Sequence, residues 1–336
     1  MITTCRASMG GVDSVSETGN PQCKKQLVLL FLAGVIGLLL PCQPSGWSQT
    51  NPAYKRTEDV IYGRKFGMAL TMDVFEPAKK NGAAVIFLVN GAWYSSHEEN
   101  TIPFPFPHVT PENYQLFLDR GYTVFAVVSS SQPKFIIPDL IEDYHRSVRF
   151  IRHNAAGFGV NPDRLGITGS SSGGQLALMI ATLGAKGPAD AKDPVERDSS
   201  EVNAVACFFP PTDYLNWGAP GVDGVGLQSM RPLELAFGPQ AYTAHGRQLL
   251  GREISPIYFL TSKLPPTLII HGDADDVVPL QQSESFLNRA RELGAPHLKL
   301  IVRKGKGHGW GDFWKSAEDI NAFADWFDEY LCGIKK

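Results

Sequence analysis

The chain has 336 residues, 43 % hydrophobic and 19 % charged, and its 31 basic side chains against 34 acidic ones give a formal net charge of -3. That is ample apolar material for a core, which excludes disordered and fibrous classes, and the balanced charge with no long basic run excludes nucleic acid as a partner. The five cysteines, Cys5, Cys23, Cys42, Cys207 and Cys332, contain no close pair of the zinc-ligand kind, so neither a metal site nor a disulfide framework is expected.

At the N-terminus, Lys24 and Lys25 lead into an apolar stretch over 27–40, followed by Pro41 and by Gly46 and Ser48 at the -3 and -1 positions of a cleavage site. This is the layout of a signal peptide, and residues 1–48 are expected to be an N-terminal extension and leader cut near Ser48. An apolar core of about 14 residues falls short of the ~20 that span a bilayer as a helix. A secreted or periplasmic protein with no stable membrane span after cleavage is therefore expected; anchoring by the uncleaved segment is the alternative. Pro41 stands where a small residue would precede a lipidated cysteine, which argues against lipidation of Cys42.

From 53 to 333, apolar β-branched runs alternate with amphipathic stretches, the pattern of an α/β domain with a mostly parallel sheet covered by helices. Runs at 60–62 and 70–75 read as an opening antiparallel pair, and 84–89 and 122–128 as buried strands. The spacing of Ile137, Leu140, Ile141, Tyr144, Val148 and Ile151 predicts an amphipathic helix. A short strand at 164–168 runs into Gly169, with a helix at 175–183 behind it. Strands are expected at 202–209, 267–270 and 298–302, and helices at 281–293 and 319–331. Between about 214 and 265 the periodicity weakens, which reads as an insertion over the active-site edge rather than a separate domain.

The sharpest motif is Gly169-Ser170-Ser171-Ser172-Gly173 followed by Gly174. In a strand–turn–helix context, G-x-S-x-G puts a nucleophilic serine on a strained turn, and only Ser171 fits the frame. The plain alternative is a serine- and glycine-rich loop. A serine hydroxyl needs a base within hydrogen-bond reach, itself oriented by a carboxylate, and the expected chain order is serine, acid, histidine. After the strand at 267–270 come Asp273, Asp275 and Asp276, which compete for the acid position; the losers are solvated or bind loop backbone. Of eight histidines, His308 in Gly305-Lys306-Gly307-His308-Gly309 follows the last strand in a loop free to turn, while His271 is better placed to fix the acid loop. Oxyanion donors are expected from the Ser172 amide and from Gly91 or Ala92 after the 84–89 strand, unless that loop is an ordinary β-turn. Trp93, Tyr94, Phe104, Phe106, Trp217 and Trp310 either line a pocket that stacks on rings or sugars or are simply packed.

These segments together resemble the α/β-hydrolase superfamily, esterase branch, close to the acyl-esterase-like and hormone-sensitive-lipase-like groups. The resemblance covers about 60–331. Its most specific stretch is Asn161-Pro162-Asp163-Arg164-Leu165-Gly166-Ile167-Thr168 running into the glycine-rich turn, with Pro211-Thr212-Asp213 and Ser255-Pro256-Ile257 also similar. It implies the α/β-hydrolase fold and hydrolysis of carboxylic esters; short-chain acids are the expected acyl groups, and no cofactor or metal is expected. In the string His271-Gly272-Asp273-Ala274-Asp275-Asp276-Val277-Val278-Pro279 it selects Asp275, the fifth residue, as the acid beside Ser171 and His308. The departure is Val89-Asn90-Gly91-Ala92-Trp93, where such esterases commonly carry H-G-G-G-W; Ala92 puts a β-carbon at a glycine position, which bears on efficiency more than on reaction type. Two rivals stand beside the esterase reading. A prolyl-oligopeptidase-type peptidase usually carries a propeller or gating domain, for which about 120 residues before the serine leave no room. A non-catalytic binding protein of the same fold is argued against by the presence of all three residue types in order.

Overall fold

A computed structural model describes residues 54–98, 108–311 and 313–335, and the expected leader with its cleavage site lies outside the described residues. The strands are β1 (Tyr54–Lys65), β2 (Met68–Pro77), β3 (Ala84–Leu88), β4 (Thr123–Val128), β5 (Leu165–Ser170), β6 (Ala204–Phe208), β7 (Thr267–Gly272) and β8 (Leu298–Arg303). The α-helices are α1 (Gln115–Asp119), α2 (Ile137–His153), α3 (Ala155–Phe158), α4 (Ser172–Leu183), α5 (Glu234–Phe237), α6 (Ala244–Glu253), α7 (Gln281–Glu292) and α8 (Ala317–Cys332).

The strands form one sheet in the order β1-β2-β4-β3-β5-β6-β7-β8. β2 runs antiparallel to β1 and β4, and the remaining pairings are parallel. β3 to β7 are buried along their whole length, the signature of strands covered on both faces. One face carries α2, α4 and α7, through Leu140, Tyr144, Val148, Leu176, Met179 and Phe286. The other carries α1 and α8, through Phe117, Leu118, Phe323 and Phe327. This is an α/β-hydrolase fold.

Strands β1 and β2 and the helices α1, α3, α5 and α6 differ from expectation, and for the two strands and α6 the reason is local. β1 and β2 extend well beyond 60–62 and 70–75, because most added residues of β1 are polar or charged and face solvent at the sheet edge. α6 was not foreseen: it contains two glycines and a single fully buried apolar side chain, Leu250, so no apolar stripe marks it. It starts instead on the Thr243 side chain, which accepts from the Gly246 amide at 3.0 Å. Among the described residues, no helix is long and apolar enough to cross a membrane.

Candidate active site

Ser171 stands between β5 and α4 with φ 53° and ψ -120°, a left-handed conformation that costs a non-glycine residue ~1–3 kcal/mol. The turn is held by the Ser171 amide donating to the Phe208 carbonyl at 3.0 Å and the Gln175 amide donating to the Ser171 carbonyl at 2.9 Å. Its glycines are steric requirements. A β-carbon on Gly169 would meet the Gly173 carbonyl oxygen at 2.5 Å, and one on Gly174 would meet the Phe208 carbonyl oxygen at 2.9 Å. The turn therefore exists only because small residues surround the serine.

The loops after β7 and β8 are laced together. Ala274 N donates to Lys306 O at 3.0 Å, Asp273 N to Arg303 O at 3.2 Å, and Gly305 N to Asp273 Oδ1 at 2.5 Å. A β-carbon on Gly272 would lie 2.0 Å from the Lys306 carbonyl oxygen, so the two loops cross in direct contact. This crossing brings His308 to Asp275. The Nδ1–H of His308 donates to Asp275 Oδ2 at 2.8 Å, and its Nε2 lies 3.0 Å from Ser171 Oγ. With Nδ1 carrying the proton, Nε2 is the acceptor for the serine hydroxyl. The imidazole packs edge-on against Phe209, centroids 4.7 Å apart.

Asp275 has a fully buried side chain. Burial opposes its ionisation, but hydrogen bonds from His271 and His308, the charge on His308 and the Val278 amide outweigh that, and its pKa lies below the ordinary carboxylate value. Its Oδ1 accepts from the amides of Val277 at 3.0 Å and Val278 at 2.8 Å. Fully buried His271 adds to the support: Nε2 lies 3.3 Å from Asp275 Oδ2 and 2.9 Å from the Val278 carbonyl, and Nδ1 lies 2.7 Å from Ser283 Oγ. Two acceptors at Nε2 place its proton there and leave Nδ1 to accept from Ser283. Asp273 is spent on the Gly305 amide, and Asp276 is exposed.

Of the two alternatives for the second oxyanion donor, Gly91 has its amide already engaged. Its amide donates to the Tyr94 carbonyl at 3.0 Å in a small bridge that Tyr94 returns at 2.9 Å, so glycine at this position serves the turn. The amides of Ala92 and Ser172 meet no acceptor among the described residues. Ala92 adopts φ 48° despite its β-carbon.

Ser171, Ser172, Ala92 and His308 line a cavity of about 600 Å³. Trp93 and Trp217 are on its wall; Tyr94 and Trp310 are not, and Phe104 and Phe106 lie outside the described residues. Trp310 packs instead on Phe208, Phe209 and Phe313. Sequence reasoning missed Phe87, Phe313 and Trp314, which share the wall, as do Met230 and Leu233 from the segment between β6 and β7. The missed polar residue of most consequence is Gln175, fully buried, whose Oε1 accepts from Trp93 Nε1 at 2.9 Å and Tyr214 Oη at 3.2 Å while its Nε2 donates to Ile254 O at 2.8 Å. A glutamine at the head of the apolar run at 176–181, one turn after the serine, was the available signal. A larger cleft of about 840 Å³ lies elsewhere, along β1 and α2, and there Lys65, Arg146 and Arg149 are each paired with a carboxylate.

Esterase LipQ of Mycobacterium tuberculosis is 28 % identical over 263 residues, which is 76 % of this chain and 57 % of that protein. Esterase LipC of the same organism is 25 % identical over 263 residues, 76 % of this chain and 60 % of its own length. The chain thus spans little more than half of these curated relatives. A solved truncated carbohydrate esterase from gut microbiota superposes with TM-score 0.66 at 25 % identity, covering 84 % of this chain and 98 % of that one. The BD-FAE family model matches residues 72–289, a segment that includes Ser171 and Asp275, and the chain belongs to the BD-FAE family.

Proposed function

We propose that this protein is a carboxylic ester hydrolase that works through an acyl-enzyme on Ser171. The observation that carries the reading is the unbroken chain from Ser171 Oγ to His308 Nε2 at 3.0 Å and from His308 Nδ1 to Asp275 Oδ2 at 2.8 Å, opening onto an apolar cavity. Ser171 Oγ attacks the ester carbonyl carbon as His308 Nε2 takes its proton, and ionised Asp275 stabilises the imidazolium. The amides of Ala92 and Ser172 hold the oxyanion. Collapse of the tetrahedral adduct breaks the bond to the alcohol oxygen, which leaves with the proton from His308. Water then attacks the acyl carbon with His308 again as base, releasing the acid and restoring Ser171.

Relatives named as esterases support ester over peptide substrates, and hydrogen-bonded alignment of all three side chains supports catalysis over simple binding. Among the described residues lining the cavity none is Asp, Glu, Lys or Arg, which favours uncharged esters; short-chain acids are the acyl groups proposed. Export is part of the same proposal: Lys24, Lys25 and the apolar run at 27–40 support a leader cut near Ser48 and a secreted or periplasmic enzyme. The test is hydrolysis of p-nitrophenyl esters from acetate to palmitate by the protein and its Ser171→Ala variant. Rates highest at short chains, and lower by about 10⁴-fold or more in the variant, are expected. Retained activity in Ser171→Ala would overturn the scheme.

A further inference from the structure

Ala92 and Trp93 occupy the left-handed region in succession, at φ 48° and φ 61°, although neither is glycine. A loop strained at two adjacent residues relaxes unless something holds it. The Gly91–Tyr94 bridge and Gln132, whose Nε2 donates to the Ala92 carbonyl at 2.5 Å and whose amide donates to the Trp93 carbonyl at 3.2 Å, hold its outer side, and the tie to α4 is the side chain of Ser172. Its Oγ accepts from the Trp93 amide at 3.2 Å and donates to Asn90 Oδ1 at 2.8 Å, so one hydroxyl ties both ends of the Asn90–Trp93 segment to the start of α4. The group is enclosed: Asn90 is 0 %, Ser172 2 % and Trp93 3 % exposed. Close approach is possible because Gly173 is bare, a β-carbon there lying 3.1 Å from the Asn90 carbonyl oxygen. Gln175, one turn along α4, takes the Trp93 indole N–H at 2.9 Å and keeps the ring from swinging the loop away.

We propose that Ser172 Oγ, anchored by Asn90, is the positioning group that fixes the Ala92 amide relative to the Ser172 amide. Both halves of the oxyanion hole then depend on one residue, through its backbone on one side and its side chain on the other. This rests on the esterase reading above and adds to it the device that sets the hole's geometry. It also accounts for Ala92 where a glycine would be easier: with the loop pinned at both ends, the alanine is held in the conformation rather than choosing it. Preorganised donors act on the transition state far more than on the bound ester, so loosening them lowers kcat and leaves KM nearly unchanged.

The experiment uses Ser172→Ala, Asn90→Ala and the double variant, with p-nitrophenyl acetate as substrate and an alkyl trifluoromethyl ketone as the analogue that forms an oxyanion on Ser171. Removing a whole donor costs about 10²–10³ in rate, so misplacing one is expected to lower kcat by roughly 10- to 50-fold in Ser172→Ala, with KM within threefold of the parent. The ketone's inhibition constant should rise in the same proportion, while that of the unreactive methyl ketone stays put. Because the two side chains act as one unit, the double variant should be no slower than the slower single variant, even where losses in Tm add. A kcat for Ser172→Ala within twofold of the parent, or strictly multiplicative rate losses, would overturn the proposal. If Ser172→Ala does not fold, Asn90→Ala alone carries the same kcat and ketone readouts. Failure of the underlying reading is separately visible, as hydrolysis that does not depend on Ser171.

Discussion

At the scale of single residues, the three carboxylates after β7 show how position rather than chemistry assigns a role. Asp275 is buried, takes two backbone amides and faces His308, whereas Asp273 caps Gly305 and Asp276 meets solvent. Asp275→Asn is expected to lower kcat about 10⁴-fold, because an amide in its place favours the wrong tautomer of His308. Asp273→Asn keeps an oxygen for the Gly305 amide and should stay within a few-fold of the parent. Equal losses in the two variants, measured side by side, would refute the assignment. With its pKa below the usual range, Asp275 stays ionised throughout the working pH range, so an acid limb in the rate profile does not arise from its titration. The serine turn was legible because its constraint is local: glycines within three residues are needed whatever the rest of the chain does. The loop after β3, proposed to supply an oxyanion donor, was only half legible. Flexibility at Gly91 said that an amide there had room to approach a substrate, and nothing in the sequence said that Tyr94 had already taken it. Ser172, Asn90 and Trp93 were unreadable as a unit for the same reason, since their contacts join positions about 80 apart in chain order.

At the scale of elements, α2 was readable from apolar residues three and four apart, and β3, β4, β6 and β7 from apolar runs, because burial on a packed face leaves a record in the sequence. α6 left none, since it buries little more than Leu250 and two glycines. α2 also carries, at half-buried His145, an acid sensor of stability. His145 has its pKa lowered to about 4 by burial, with the Arg149 charge adding to the effect, and its Nδ1 sits 2.9 Å from Ser200 Oγ. The unfolded chain protonates this ring near pH 6.5 and the folded chain only near 4, so between those values the unfolded state binds more protons. This contribution is complete above pH 6.5, is lost as pH falls toward 4 and is flat below, amounting to no more than ~3 kcal/mol. Urea unfolding midpoints measured from pH 7 to pH 4 should therefore fall less steeply for His145→Gln than for the parent. Identical slopes would show that the ring does not set this dependence.

At the scale of the molecule, the functional groups ride on the ends of strands at distant points of the chain: Ser171 after β5, Asp275 after β7 and His308 after β8. Sheet order puts these strands on one side of β3, with β6 between the serine and the acid. Fold class was legible because alternation of strand and helix repeats along the sequence, whereas the mouth of the cavity, built partly from Met230 and Leu233 in an aperiodic segment, was not. The separation has a kinetic consequence. Ser171 and His308 are 137 residues apart, and closing so long a span onto the last parallel strands is a slow, non-local event. On refolding from urea, helical circular dichroism should recover before reactivity of Ser171 toward a fluorophosphonate, and the lag should shorten when β8 docks faster. On this reading a newly made chain is chemically silent until β8 is in place, so reactivity at Ser171 is a clock for completion of its fold.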